Sequence, residues 1–427
     1  MQKHQKLKPW LRSLLFVGIL LVLTAPFSTI ALLTAHEKNG NFWPYFYRGV
    51  PKNTLDIVYM GNSHSKTTFI PEVIDRLLGI NSLQVSTVGE SIYQTQFEFK
   101  EVLHYQDPKL IILEANPIYS GSPSDEVKSW NYSFFYAMPF SARKFMNAHR
   151  FFGDDDLLKF YLPFISYHAD WKNPDQVRER AKKALELLKQ WKKAEWQIEL
   201  PHKGYENYLV SLPLEAEQEI YMESDNCSIA DFEKRLEITE AMLQAAEQDG
   251  QQVVIMETPQ FVNPFSDCRD QLAGLAERYG VAYVSLLDNA PRPPLWFGDD
   301  EHMTQFGALI ASVETAQYLA ETLDISINKE ILALYQRYFF RDYTLEREGD
   351  RVTITLIPED PQAMADMNIA WYATHKGESF LEEEEIGMVS LRFTLPETEG
   401  KYFIRTVMFD PAIHYYVRGG FTFVLNK

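Results

Sequence analysis

Two short segments carry side chains suited to nucleophilic chemistry. Gly61-Asn62-Ser63-His64-Ser65 puts a serine directly after an apolar run, and Asp299-Asp300-Glu301-His302 puts a carboxylate three residues before a histidine. A serine hydroxyl is a weak nucleophile until a neighbouring base takes its proton, and a carboxylate that orients the imidazole improves that base. Ser63 is therefore the candidate nucleophile, His302 the candidate base and Asp299 its orienting partner. The oxyanion formed on attack needs donors aimed at it. The backbone amide of Gly89 and the side-chain amide of Asn116 are the candidates, with the Ser63 amide as a third.

These residues must be brought together by the elements that precede them. Leu55 to Met60 reads as a buried strand running into Gly61, Leu83 to Val88 as a second strand running into Gly89, and Leu110 to Leu113 as a third ending at Glu114-Ala115-Asn116-Pro117. Helical patterns cover Pro71 to Leu78 and Tyr93 to Tyr105. From Ile118 to about Asp225 the alternation breaks into a long insertion. It resumes with a helix from Ile229 to Gln248, a strand from Gln252 to Met256, a helix from Arg269 to Tyr279 and a strand from Val281 to Leu286. Five strands alternating with helices predict an α/β fold built on a parallel sheet. In such sheets ligands bind at the carboxyl ends of the strands. Ser63, Gly89 and Asn116 follow the first three strands, and Asp299 and His302 follow the fifth, so all five are expected at one edge.

With that order and placement, the sequence resembles the SGNH (GDSL-like) hydrolase superfamily over roughly Leu55 to Gly307, the insertion excepted. The resemblance implies a flavodoxin-like five-stranded sheet. It also implies Ser63 as nucleophile, Gly89 and Asn116 in the oxyanion hole, His302 as base and Asp299 as its partner. His302-Met303-Thr304-Gln305-Phe306-Gly307 is similar to the family's closing block, where a glycine after the histidine opens a helix. The chain departs from the family in having Gly-Asn-Ser-His for Gly-Asp-Ser-Leu, and Glu-Ala-Asn for Gly-x-Asn-Asp. Membrane-anchored envelope members, those of polysaccharide acetylation and teichoic-acid D-alanylation, are similar in architecture.

Other residues have weaker claims. His64 adjoins the nucleophile, but neighbours on an extended segment point apart, which favours a loop hydrogen bond over a base role. His168 and Trp171, inside the insertion, are candidates to hold a sugar or carrier group, or else they pack the insertion. Asp154-Asp155-Asp156 reads as an exposed turn before it reads as a calcium site, and the aromatic stretch from Trp130 to Phe140 suits either insertion core or a carbohydrate platform. Cys227 and Cys268, the two cysteines, are either bridged or two free thiols. Neither sits in a metal or thiol-nucleophile pattern.

The chain of 427 residues is long enough for two or three domains. We expect a cytoplasmic stub and anchor over 1–36, the hydrolase-like domain over 37–335 with its insertion at about 118–225, and a small all-β sandwich over 343–427. Short β-rich runs from Arg351 to Leu425 suggest the sandwich, a helical linker spans Glu314 to Phe340, and the acidic run Glu382 to Glu385 reads as a solvated loop. A net charge of −18 argues against nucleic acid. Leu14 to Thr34 is apolar, free of charge and long enough to span a bilayer as a helix, preceded by Lys3, Lys6, Lys8 and Arg12. A single-pass anchor in the cell membrane with the body outside the cytoplasm follows, a cleaved signal peptide being the rival. The expected activity is that of a serine esterase or O-acyltransferase on acyl esters of envelope carbohydrate. It needs neither metal nor organic cofactor, and its expected partners are a glycan substrate and a membrane component that exports acyl groups. The competing expectation is a non-catalytic glycan-binding or export-complex protein on the same fold.

Overall fold

A computed structural model describes residues 10–20, 42–120, 141–146, 172–191, 200–208, 229–261, 266–286 and 292–425, apart from 365–366, 376–377, 387–388, 396–399 and 411–414 in the last stretch, plus a few single positions. Contacts divide the chain into two compact units, 1–51 with 124–200 and 52–123 with 201–427.

The larger unit is built on a parallel sheet of five strands. These are β1 (Ile57–Gly61), β2 (Ser82–Ser86), β3 (Leu110–Glu114), β4 (Gln252–Glu257) and β5 (Ala282–Ser285), in the order β2-β1-β3-β4-β5. β1, β2 and β3 are buried at every position, as strands covered on both faces are, even though β2 alternates Leu83 and Val85 with the polar Ser82, Gln84 and Ser86. Around the sheet lie α1 (Ser63–Thr68), α2 (Pro71–Leu78), α3 (Ile92–Tyr105), α4 (Asn116–Tyr119), α5 (Ile229–Asp249), α6 (Ser266–Arg278), α7 (Gln305–Thr322) and α8 (Lys329–Gln336). The pleat splits each strand between two faces. Ile57, Tyr59, Leu110, Ile112, Val254 and Met256 join a core with Val73, Ile74 and Leu77 of α2 and Phe306, Leu309 and Val313 of α7. On the other face α3 packs against α5. The chain reverses its strand order between β1 and β3, and in this topology the loops leaving those strands frame the binding crevice.

Two antiparallel sheets follow. One has the order β10-β7-β6, from β6 (Phe340–Glu348), β7 (Arg351–Pro358) and β10 (Ser390–Thr394). The other has the order β12-β11-β8-β9, from β8 (Asn368–His375), β9 (Glu378–Ile386), β11 (Gly400–Asp410) and β12 (Tyr415–Leu425). Ile354 and Leu391 from the first sheet and Trp371, Ile404 and Val417 from the second belong to the same apolar core as α2 and α7, with Tyr335, Tyr338 and Phe340 between them. The β-rich segment is thus packed onto the α/β sheet. Gln305, at the start of α7, adds polar ties. Its Nε2 donates to the Tyr416 carbonyl at 2.7 Å, and its Oε1 accepts from the Arg418 amide at 2.9 Å.

Several elements differ from the sequence expectations. The acidic run Glu382 to Glu385 is no loop: it lies in β9, an edge strand whose backbone pairs with β8 through Ala370↔Glu384 and Tyr372↔Glu382. Charges suit an edge because they oppose pairing with another chain, so an acidic run does not preclude a strand. The linker is shorter and broken. α7 ends at Thr322, Asp324 turns with φ 52°, and Asn328 caps α8 by accepting from the amides of Glu330 and Ile331. Phe340 already opens β6. The expected span from Leu14 to Thr34 is described as helix up to residue 20 and at two later positions. Among the described residues no helix is long and apolar enough to cross a membrane. In the smaller unit a charged helix runs Pro174–Trp191, inside the stretch read as the insertion. Buried Cys268 is disulfide-bonded and no described cysteine is free, while Cys227 lies outside the described residues.

Trp371 is fully buried between the antiparallel sheets and the α/β core. Trp371→Ala is expected to lower stability by about 3–5 kcal/mol, read as a shift of the denaturant midpoint. An unchanged midpoint would show that this core contributes nothing to holding the unit together.

Candidate active site

The site is assembled at the carboxyl edge of the sheet. β1 ends at Gly61, Asn62 is the N-cap of α1, and Ser63 is the first helical residue. The Asn62 Oδ1 accepts from the His64 amide at 3.0 Å, as N-cap side chains do. The segment from Ser63 is therefore helical, not extended as the reading of His64 assumed. Gly61 is required by space. A Cβ there would lie 2.6 Å from the Glu114 Cβ and 2.9 Å from the Ser65 Cβ.

His302 arrives from a tight loop. The Gly298 amide donates to the His302 carbonyl at 2.8 Å, and Phe297 bridges Met303. Asp299 organises the loop from inside, its Oδ1 accepting from the amides of Glu301 at 2.9 Å and His302 at 2.8 Å. The same carboxylate takes the His302 Nδ1 at 2.8 Å. That hydrogen bond puts the ring proton on Nδ1 and leaves a lone pair on Nε2. The Nε2 lies 2.7 Å from the Ser63 Oγ. Burial tends to raise the Asp299 pKa, but hydrogen bonding to His302 and its charge outweigh it and hold the carboxyl below its ordinary value. Serine, histidine and aspartate form one continuous hydrogen-bonded chain.

Asn116 sits at the start of α4, after β3, buried and tied to the N-cap of α1. Asn62 Nδ2 donates to its Oδ1 at 2.6 Å. With Oδ1 engaged, the NH2 end of the Asn116 amide is the one left to donate to a ligand. Gly89 follows β2 at the same edge, in the left-handed region at φ 66° that favours glycine. The β1–β2 register pairs Gly61 with Ser86, so both loops leave the sheet at the same level. His168 and Trp171 lie outside the described residues, as do Asp154-Asp155-Asp156 and most of the aromatic stretch.

Three contributors escape a sequence reading. Asn62 fixes which end of Asn116 is free, and the only hint was its place in Gly-Asn-Ser. Tyr208 lies flat on His302, ring centroids 5.0 Å apart and planes 7° from parallel, and its phenol reaches Asp299. No pattern around Tyr208 announces this, because it lies within the irregular stretch read as the insertion. Glu114 lies buried under Gly61, its Oε1 accepting from the Asn116 amide at 2.9 Å and from the Thr258 hydroxyl at 3.2 Å. Burial pushes its pKa up to about 8. Glu98, buried beneath the loop after β2, is also raised to about 8 by burial. His64 is 3 % exposed, with Nε2 3.7 Å from the Glu301 Oε2. The partner of its side chain is thus a loop carboxylate, held beyond ordinary hydrogen-bond length.

No protein-family model matches this chain, and no curated protein matches it. Among solved structures it is similar to a Bacteroides fragilis protein carrying the provisional name acylhydrolase, with 9% identity and a TM-score of 0.32 over 66% of this chain and 95% of that one. It is also similar to the rat CD45 extracellular region, domains d3–d4, with 8% identity and a TM-score of 0.16. That match covers 19% of this chain and 46% of the other, so the chain spans under half of that fragment. An engineered protein matches over 92% of this chain and 97% of its own, with 9% identity and a TM-score of 0.18. At such scores these likenesses carry no argument, and the fold and site stand on the chain's own strand order and distances.

A carboxyl group whose pKa is raised on folding holds a proton that the unfolded chain releases. Stability therefore declines as pH rises above the ordinary carboxylate range and levels off above about 8, the value for Glu114. Glu114→Gln keeps the shape and removes the titration, so its stability should fall less between pH 5 and 8 than that of wild type. The slope removed is at most about 1.4 kcal/mol per pH unit. Parallel pH–stability curves for the two proteins would contradict the assignment. Gly61→Ala, whose methyl meets Glu114, is expected to cost about 1–3 kcal/mol in denaturant unfolding, and a neutral result would overturn the steric account.

Proposed function

We propose that this chain is a serine-dependent esterase or O-acyltransferase of the SGNH type, acting on acyl esters of cell-envelope carbohydrate, with acetyl as the acyl group. The observation that carries the reading is the 2.7 Å approach of Ser63 Oγ to His302 Nε2, with His302 Nδ1 held by Asp299 at 2.8 Å. In the first step the Ser63 oxygen attacks the ester carbonyl carbon while its proton passes to His302 Nε2. The resulting oxyanion is met by the Asn116 amide and by backbone amides at Gly89 and Ser63. Collapse breaks the bond to the leaving alcohol, which takes the proton from His302 and departs, leaving an acyl-serine. Water or a sugar hydroxyl then attacks this ester, giving its proton to His302, and the Ser63 oxygen leaves and recovers that proton.

Anchoring in the cell membrane, with the site on the outer side, belongs to the same proposal. Its support is the helical run over 10–20, where Trp10, Leu14, Leu15, Phe16, Val17, Ile19 and Leu20 are all exposed. An apolar surface all round a helix is what a bilayer covers, and Lys3, Lys6, Lys8 and Arg12 favour a cytoplasmic N-terminus. The anchor holds the site near envelope glycan and near a membrane component that delivers acyl groups.

A fluorophosphonate probe tests the enzyme reading against that of a non-catalytic glycan binder. Wild type should be labelled, Ser63→Ala should not, and Asn116→Ala should be labelled about 10²–10³-fold more slowly, as for the loss of one oxyanion donor. A folded wild type that takes no label, or labelling that survives Ser63→Ala, would sink the proposal.

A further inference from the structure

Behind the Ser63–His302 pair stands a second imidazole that the acyl-transfer chemistry does not use. His64 and His302 have ring centroids 5.2 Å apart, and Glu301, on the His302 loop, puts its Oε2 3.7 Å from the His64 Nε2. One ligand atom from each of His64, Glu301 and His302 lies within 4.8 Å of the others. The His64 ring is buried without a hydrogen bond of ordinary length. Its Nδ1 has no partner, and 3.7 Å from Nε2 to Glu301 exceeds hydrogen-bond reach. Buried polar groups left this way call for an explanation, and a missing ion is one of them.

We propose that His64, Glu301 and His302 bind a zinc ion, and that this ion silences the nucleophile. Two imidazoles and one carboxylate are a zinc ligand set, and zinc bonds of about 2.0–2.2 Å put such atoms about 3.3 Å apart. Glu301 has a side chain 59% exposed and is free to close that gap, while His64 is held in the interior. His302 is already oriented as a zinc ligand, because Asp299 takes its Nδ1 and turns the Nε2 lone pair to the site. A zinc ion on the His302 Nε2 takes the lone pair that otherwise accepts the Ser63 proton. The consequence for Ser63 rests on the proposed function, whereas the binding of the metal does not.

The test uses the full chain, first stripped with a chelator. Zinc is titrated calorimetrically, and fluorophosphonate labelling is followed with and without zinc. One zinc per chain is expected, protecting Ser63 from the probe. His64→Ala and Glu301→Gln should each weaken zinc at least ~10-fold, the scale on which zinc sites respond to lost support, and lose protection in proportion. Glu301→Gln changes a surface side chain and keeps the test sound if His64→Ala unfolds. No zinc bound to wild type, or equal binding and protection in both variants, overturns the proposal. If the metal-free protein takes no label while zinc binding still depends on His64 and Glu301, the metal site stands and the serine-enzyme reading falls.

Discussion

The hydrogen bond between Ser63 Oγ and His302 Nε2 joins residues 239 positions apart, and the larger unit is arranged around making it possible. One end is set by the exit of β1, where Gly61 lets the chain pass over Glu114 and Asn62 caps the first turn of α1. The other end is set by the entry to α7, where Asp299 gathers two amides and the imidazole onto one carboxylate. Both helices pack on the sheet, and α7 is bonded through Gln305 to β12. The antiparallel sheets are thus coupled to the Asp299–His302 loop as a structural buttress, three residues from His302.

Beneath Ser63, His302 and Asn116 lies a layer of buried polar groups that holds them in place. Glu114, neutral when protonated, accepts from the Asn116 amide, and Asn62 fixes which end of the Asn116 side chain is free. A carboxylate at position 114 would be buried under Gly61 with its Oε2 lacking a hydrogen-bond partner, which is the cost that its raised pKa records. Tyr208 covers the other side, lying on the His302 ring. Such support restricts the imidazole to the plane in which Nδ1 meets Asp299 and Nε2 meets Ser63.

Much of this was legible in the sequence. An apolar run stopping at Gly61 and an alternating one leading to Gly89 mark buried strands that leave the sheet at one edge, and that geometry brings Ser63, Asn116, Asp299 and His302 into one neighbourhood before any distance is known. The helix from Pro71 to Leu78 is announced by its proline and its apolar spacing. What stayed hidden depends on contacts between distant segments. β9 was obscured because four glutamates read as solvent, whereas an edge strand draws its order from backbone pairing with β8. The helical turn at Ser63 was obscured because six residues are too few to show a period. The roles of Asn62, Glu114 and Tyr208 exist only once the loops have met.

The central claim is that Ser63 carries the acyl group between donor and acceptor. Incubation of the wild-type chain with a chromogenic acetyl ester, followed by an acid quench and peptide mass spectrometry, tests it directly. The account predicts an acetyl group on Ser63, lost on longer incubation with an acceptor. Ester turnover with acetyl found on another residue, or with none on Ser63 at any quench time while Ser63→Ala remains as active as wild type, would contradict it.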